Sequence, residues 1–356
     1  MNMSKVQKSN YITYGIVIVA YMILEVLMLT GNLSSHLKGL LVPMTYYAVI
    51  AVALNLCVGI LGELSIGHCG FMCLGAFSSA FFSRATEKLI PTVPRFLMAF
   101  IIGIAVAALF GFLIGIPVLR LKGDYLAIVT LAFGEIIKNV INSFYIGIDS
   151  KGFHFTMKSA MDLNMEKDGD IIVNGAMGIT GTPHNANFTI GIVVLLISLF
   201  IVQNLVNSRD GRAIMAIRDN YIAAEATGIN VTGYKMMAFT ISAAIAGAAG
   251  VLFSHNITTL TASSQYFGYN ASIMILVYVV LGGIGNIRGS VIAACILYML
   301  PELLRGLNTY RMLIYSIVLI VMMIVNWSPK VIAWRKKTFG GLKFINILTG
   351  KKKGVA

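Results

Sequence analysis

GLLVPMTYYAVIAVALNLCVGIL, residues 39–61, runs without one charged side chain. An α-helix needs about 20 such residues to cross the hydrocarbon of a bilayer. The stretch is apolar on every face, whereas a barrel strand would be about ten residues long and alternate. Working outward, further apolar spans read at 11–30, 64–83, 96–119, 124–145, 188–206, 235–254, 271–287, 289–304 and 311–326, about ten in all. Of the 356 residues 58% are hydrophobic and 12% charged, about half the charge a soluble domain carries. The expected class is all-α: a polytopic transmembrane helical bundle in a cell (inner or plasma) membrane. A soluble enzyme and a single-anchor protein are excluded.

The net charge of +13 does not read as a nucleic-acid footprint, because the basic residues are scattered over loops and ends without interleaved aromatics. It orients the chain instead. An even span count puts both termini on one side. With the N-terminus inside, the inner segments collect 17 of the 27 Lys and Arg, including Lys5, Lys8, Arg120, Lys122, Arg209, Arg212, Arg218, Lys235, Arg288 and a basic tail, 331–356. That is the bias expected of a cytoplasmic side. Residues 1–330 then form the membrane domain. Lys5 and Lys8 precede the first apolar run with no cleavage pattern after it, so that run reads as a retained helix. Four cysteines, Cys57, Cys69, Cys73 and Cys295, lie in apolar runs and behave as small hydrophobes.

Two hydrophilic segments exceed the usual helix-to-helix connection. The outer one, 146–187, is expected to be loop, ending in the glycine-punctuated NGAMGITGTP of 174–183, either simply solvated or able to approach a ligand or helix closely. The inner one, 207–234, reads as two short helices, one capped by Asp210 and a second capped by Asn220 and closed by Gly228. Ala223, Ala224, Glu225 and Ala226 give the second a smooth face. Docking on another protein and an amphipathic connector both fit it.

Ionisable residues within the spans are Glu25, Glu135, Lys138 and Glu302. Glu135 and Lys138, three apart, face each other on one helix; Glu302, beside Pro301 near a helix end, is expected to snorkel. Two glycine-rich interruptions, LGELSIGHCG at 61–70 and LGGIGNIRG at 281–289, permit either broken helices that present backbone to a ligand or close helix packing. Packing is favoured for the second. Gly67 and Gly70 are expected to matter through backbone space, with Ala tolerated at Gly67 and Leu not. His68 with Cys69 and Cys73 lacks a fourth metal ligand, so no metal is expected. No P-loop, HExxH or GxSxG occurs, so no catalytic residue is assigned. An ion-coupled transporter and a membrane enzyme remain alternatives to a pathway subunit without chemistry of its own.

The stretches GRAIMAIRDNYIAAEATGINV (211–231) and LGGIGNIRGSVIA (281–293), with LSIGHCGFMCLGA (64–76), LKGDYLAIVTLAFGE (121–135) and the external NGAMGITGTP, resemble the permease subunits of ABC importers for branched-chain amino acids, of the LivM type. The resemblance runs from about residue 59 to 305. It implies half of a translocation pathway, completed by a second related permease, powered by two cytoplasmic ABC ATPases that use the ATP, and fed by an extracytoplasmic binding protein; the chain itself needs no cofactor. It also implies a coupling helix in the inner segment, with Arg212, Arg218, Ala223, Ala224, Glu225, Ala226 and Gly228 facing the ATPase, although Gly228 follows Glu225 more closely than in the fuller EAA-type loop. Substrate-pathway residues are expected at Gly67, Gly70, Phe71, Met72, Thr130 and Glu135. The same superfamily handles urea, short amides and simple sugars, which stay open as substrates.

Overall fold

The computed structural model describes residues 5–31, 34–87, 89–121, 123–149, 152–163, 165, 169–304 and 310–327. The tail at 331–356 and the charges Lys88, Lys122, Lys151, Lys167 and Arg305 lie outside the described residues. The helices are α1 (Lys5–Leu29), α2 (Ser35–Asn55), α3 (His68–Ala85), α4 (Thr92–Val118), α5 (Asp124–Asn142), α6 (Phe188–Asn207), α7 (Arg209–Asp219), α8 (Tyr221–Ala226), α9 (Val231–Ser254), α10 (Ser264–Phe267), α11 (Tyr269–Gly282), α12 (Ile287–Leu303) and α13 (Arg311–Trp327). Among the described residues, six segments are long and apolar enough to cross a membrane: 11–29, 35–61, 92–118, 188–207, 231–254 and 264–282. The remaining expected spans are helical but shorter or more polar. α12 and α13 have 17 residues each, about 25 Å of helix, and α5 carries Asp124, Glu135 and Lys138.

α2 is the hub, packed against α6, α9, α11 and α12. Its Ala48, Ala51 and Ala53 are fully buried, which suits a helix surrounded by helices rather than lipid. It ends in a π-helical turn, Leu56–Leu61, and Gly62 at φ 83°. Close approach elsewhere rests on small residues. On α4, Gly103, Ala107 and Gly111 recur every fourth residue and meet Val251, Gly247 and Ala243 of α9, while Gly75 of α3 lies against Gly247. With no hydrophobic drive between helices in lipid, such backbone-level packing is what holds a bundle together. The opposite face of α4, with Val93, Leu97, Ile101 and Leu113, is exposed and suits lipid.

The all-α expectation needs one correction. The segment 146–187 is not loop throughout. β1 (Tyr145–Asp149), β2 (Gly152–Thr156) and β3 (Asp170–Asn174) form an antiparallel sheet in the order β2-β1-β3, and β4 (Ile179–Thr180) pairs with β5 (Thr259–Leu260). The hairpin is set by Asp149, whose Oδ1 accepts the Gly152 N–H at 3.1 Å. Phe153 and Phe155 on one side of β2 pack on Phe81 and Phe144. Gly175 and Gly178, at φ 51° and 72°, close on the Tyr145 ring and the Leu260 carbonyl, so this glycine run packs on its own chain.

Candidate functional site

The break between α2 and α3 is a buried polar junction. Ser242 Oγ donates to the Ala53 carbonyl at 2.6 Å and therefore accepts from His68 Nε2 at 2.7 Å. The other ring nitrogen, Nδ1, is then left to accept from Ser65 Oγ at 3.0 Å, which fixes the neutral tautomer. Both nitrogens are used. Among the described residues no group of His, Cys, Asp and Glu could hold a metal.

Gly67, Gly70, Phe71, Met72 and Thr130 do gather around this junction, but as packing. Thr130 Oγ1 accepts the Ile66 N–H at 3.1 Å and donates to the Ala127 carbonyl at 3.0 Å. A Cβ on Gly67 would overlap the Thr130 carbonyl oxygen, and one on Gly70 would stand 2.8 Å from Gly134 Cα. An alanine at Gly67 would thus strain this contact, where the sequence reading expected Ala to be tolerated, because the obstacle is rigid backbone. Phe71 is buried edge-on to Phe239 at 5.6 Å between ring centroids; Met72 is buried with its carbonyl against Gly250. Glu135 pairs with Lys138 and accepts the Tyr269 N–H at 2.8 Å, while Lys138 donates to Ser264 Oγ at 2.9 Å. These polar groups are matched within the chain. Glu302 does not merely snorkel: it meets His36 Nε2 at 2.5 Å.

Residues 207–234 form an elbow. Ser208, not Asp210, caps α7, its Oγ accepting the Gly211 N–H at 3.0 Å; Asp210 sits two residues further in, within the first helical turn. Asn220 Oδ1 accepts the N–H groups of Ile222 and Ala223 at 3.1 Å each, and Gly228 follows α8 at φ 84°. Ala224 is buried against its own chain, so it does not belong to the outward face. That face presents Tyr221, Ile222, Ala223, Glu225 and Ala226. Arg212 Nη1 reaches the Asn207 carbonyl at 3.4 Å.

Two links that the sequence did not reveal reach the α2/α3 break, one from the elbow and one from α9. Arg218 Nη1 donates to the Gly59 carbonyl at 3.0 Å, its stem lying over Gly62. Lys235, at the start of α9, pairs with Glu63. Asn55 extends the junction toward α12, donating to Ser290 Oγ at 2.7 Å and accepting the Gly285 N–H at 2.9 Å. Asn55 was the legible signal, the one amide in a 23-residue apolar run, since a polar group there needs a partner. Gly282 and Gly289 meet backbone to backbone nearby.

The family model described as "Branched-chain amino acid transport system / permease component" matches residues 36–325. The chain is 34% identical over 293 residues to the high-affinity branched-chain amino acid transport system permease protein LivM of Escherichia coli (strain K12), covering 80% of this chain and 67% of that protein, and equally similar to LivM of Salmonella typhimurium. It is 25% identical over 253 residues to the permease protein LivH of Salmonella typhimurium, covering 70% and 79%. No solved structure matches. With a helical bundle of several membrane-spanning segments and a match over most of its length, the chain belongs to the family of branched-chain amino acid transport permease components.

Proposed function

We propose that this chain is one of two permease subunits of an ABC importer for branched-chain amino acids. Similarity to both LivM and LivH supports a second, related permease beside it, and the family match over residues 36–325 carries the reading. In it, residues 1–330 cross the membrane ten times with both termini cytoplasmic, 146–187 lie outside and 207–234 inside, in keeping with the Lys and Arg bias. Two ABC ATPases bind the inner face and supply ATP-driven motion; an extracytoplasmic binding protein delivers solute to the end bearing the small sheets.

The elbow supplies the coupling surface. Tyr221, Ile222, Ala223, Glu225 and Ala226 meet the ATPase, with Arg212 and Gly228 setting the elbow's shape. Arg218 and Lys235 then transmit its displacement to Gly59 and Glu63 at the α2/α3 break. Gly67, Gly70, Phe71, Met72 and Thr130 hold α3, α5 and α9 together as a wall of the pathway, since each is already filled by this chain. Glu135, partly exposed, stands at the edge of that wall.

The test is uptake of labelled leucine, isoleucine and valine by cells deleted for this chain and complemented with it. Loss and recovery of all three is the expected result. Relatives named as a nucleoside permease (21% identical) and a fructose permease (30% identical) define the contrary one: unchanged leucine uptake with loss of a nucleoside or a sugar.

A further inference from the structure

β2 is an edge strand of the three-stranded sheet, and its register with β1 decides which side chains share a face. Phe155 stands opposite Ile146 and Phe153 opposite Ile148, so all four project from one face, as directly opposed residues of antiparallel strands do. Val173 of β3, opposite Ile146, joins them. The other face carries His154 and Thr156 of β2 with Asp149 of β1, His154 Nε2 lying 3.1 Å from the Asp149 carboxylate. The sheet is amphipathic. Its apolar face is turned towards the helices, since Val173 is buried and Ile146 and Ile148 pack against the core. Phe153 and Phe155 point the same way from one strand further out, and they stay 59% and 50% exposed.

The contacts these two rings do make are at the rims of helices. Phe153 meets Phe81, 6.2 Å between ring centroids, and Phe155 meets Phe144 at 5.3 Å. Phe81 lies four residues before the end of α3, about 6 Å inside it. Phe144 comes two residues after α5, in line with the exposed Val140 and Ile136 one and two turns back. The rings thus continue an apolar stripe that runs up the exposed surface of α5. Two half-exposed phenyl rings side by side mark a contact surface, and past the perimeter of a membrane bundle, on the side turned to its helices, the contact is bilayer. We infer that β2 overhangs the bundle and seats Phe153 and Phe155 among the acyl chains of bilayer lipid. The free edge of β2 limits the depth, because unpaired backbone N–H and C=O groups must stay among water and headgroups. The rings dip and the strand does not. That the leaflet is the outer one follows from the topology proposed above; the seat in lipid rests on the packing alone.

The test places the photoreactive residue p-benzoylphenylalanine at Phe155, and separately at Phe153, in the full chain expressed in cells with its neighbouring subunits. It keeps the aromatic ring and adds bulk where the native ring is half exposed, and thermal unfolding in detergent checks that each variant is folded. After irradiation of the cells, the purified chain is expected to gain the mass of one phospholipid at either position. The same residue at Thr156, on the polar face, is expected to give no lipid adduct. Protein-sized adducts at the phenylalanine positions, from a second permease or a binding protein lying over the rings, overturn the seat in lipid. So does the absence of any adduct there, or lipid labelling from Thr156 equal to that from Phe155. An inverted chain gives the same lipid adducts from the other leaflet, and a chain with a different transported solute gives them too, so failure here is separate from failure of the topology or of the proposed function.

Discussion

At Gly67 and Gly134 two helices meet with unequal tolerance. A Cβ on Gly67 would enter the Thr130 carbonyl, whereas one on Gly134 would rest 3.6 Å from Gly67 Cα, an ordinary contact. Gly67→Ala is therefore expected to destabilise the bundle by about 1–3 kcal/mol and to lower uptake, while Gly134→Ala is near neutral; thermal unfolding in detergent measures both, and equal behaviour would refute the packing argument. Ser242→Ala strips His68 Nε2–H of its acceptor and is expected to cost about 1–3 kcal/mol by the same assay. His255, just beyond α9, donates from Nδ1 to the Pro183 carbonyl at 3.2 Å and lies 3.3 Å from Ser83 Oγ. Burial holds its pKa down to about 4, against about 6.5 in an unfolded chain. Between those values the unfolded chain binds a proton that the folded one refuses, so stability falls as pH drops from about 6.5 towards 4 and levels off below. His255→Asn, which keeps an amide donor near the Nδ1 position, is expected to flatten that part of the pH–stability curve; an unchanged slope would assign it to other groups.

Among the elements, the elbow α7–α8 is the one whose parts separate experimentally. Its outer face carries Ile222, Ala223 and Glu225, and its inner side carries Ala224. Ala223→Trp is expected to leave the permease folded but to reduce the ATPase retained on co-purification, because a bulky side chain holds two docked backbones apart. Ala224→Trp instead overpacks the elbow against its own chain and loosens the fold. Arg218→Ala is expected to keep the ATPase bound while uncoupling it, with ATP hydrolysis continuing and uptake falling several-fold, since the link to the Gly59 carbonyl is lost. Normal uptake in Arg218→Ala would mean that force reaches the bundle by another route. The elbow's two helices and the Asn220 cap were legible in the sequence, because caps and αL glycines are local signals. The burial of Ala224 was not, because which side of a short helix faces inward depends on where α9 lies.

For the whole molecule the proposed topology is tested by single cysteines introduced at Ser159 and Arg209 in a variant lacking the native four. An impermeant thiol reagent applied to intact cells is expected to label the first and spare the second; the reverse pattern inverts the molecule. The sequence by itself determined that the chain is a membrane helical bundle, where its helices lie within a few residues, and which family it resembles. Those facts depend on local composition, apolar run length and motif order, each readable without knowing a neighbour. Only the tertiary structure decided what the glycines and polar residues do. Gly67 faces the Thr130 carbonyl, Gly75 faces Gly247, Arg218 reaches Gly59, and Tyr315 lines a cavity with Glu302 from another helix. Partners separated by tens to hundreds of residues leave no periodic trace in a sequence. In a bundle apolar on nearly every face, hydropathy cannot say which face meets lipid and which meets a helix, so steric fit and hydrogen-bond matching between backbones make that choice.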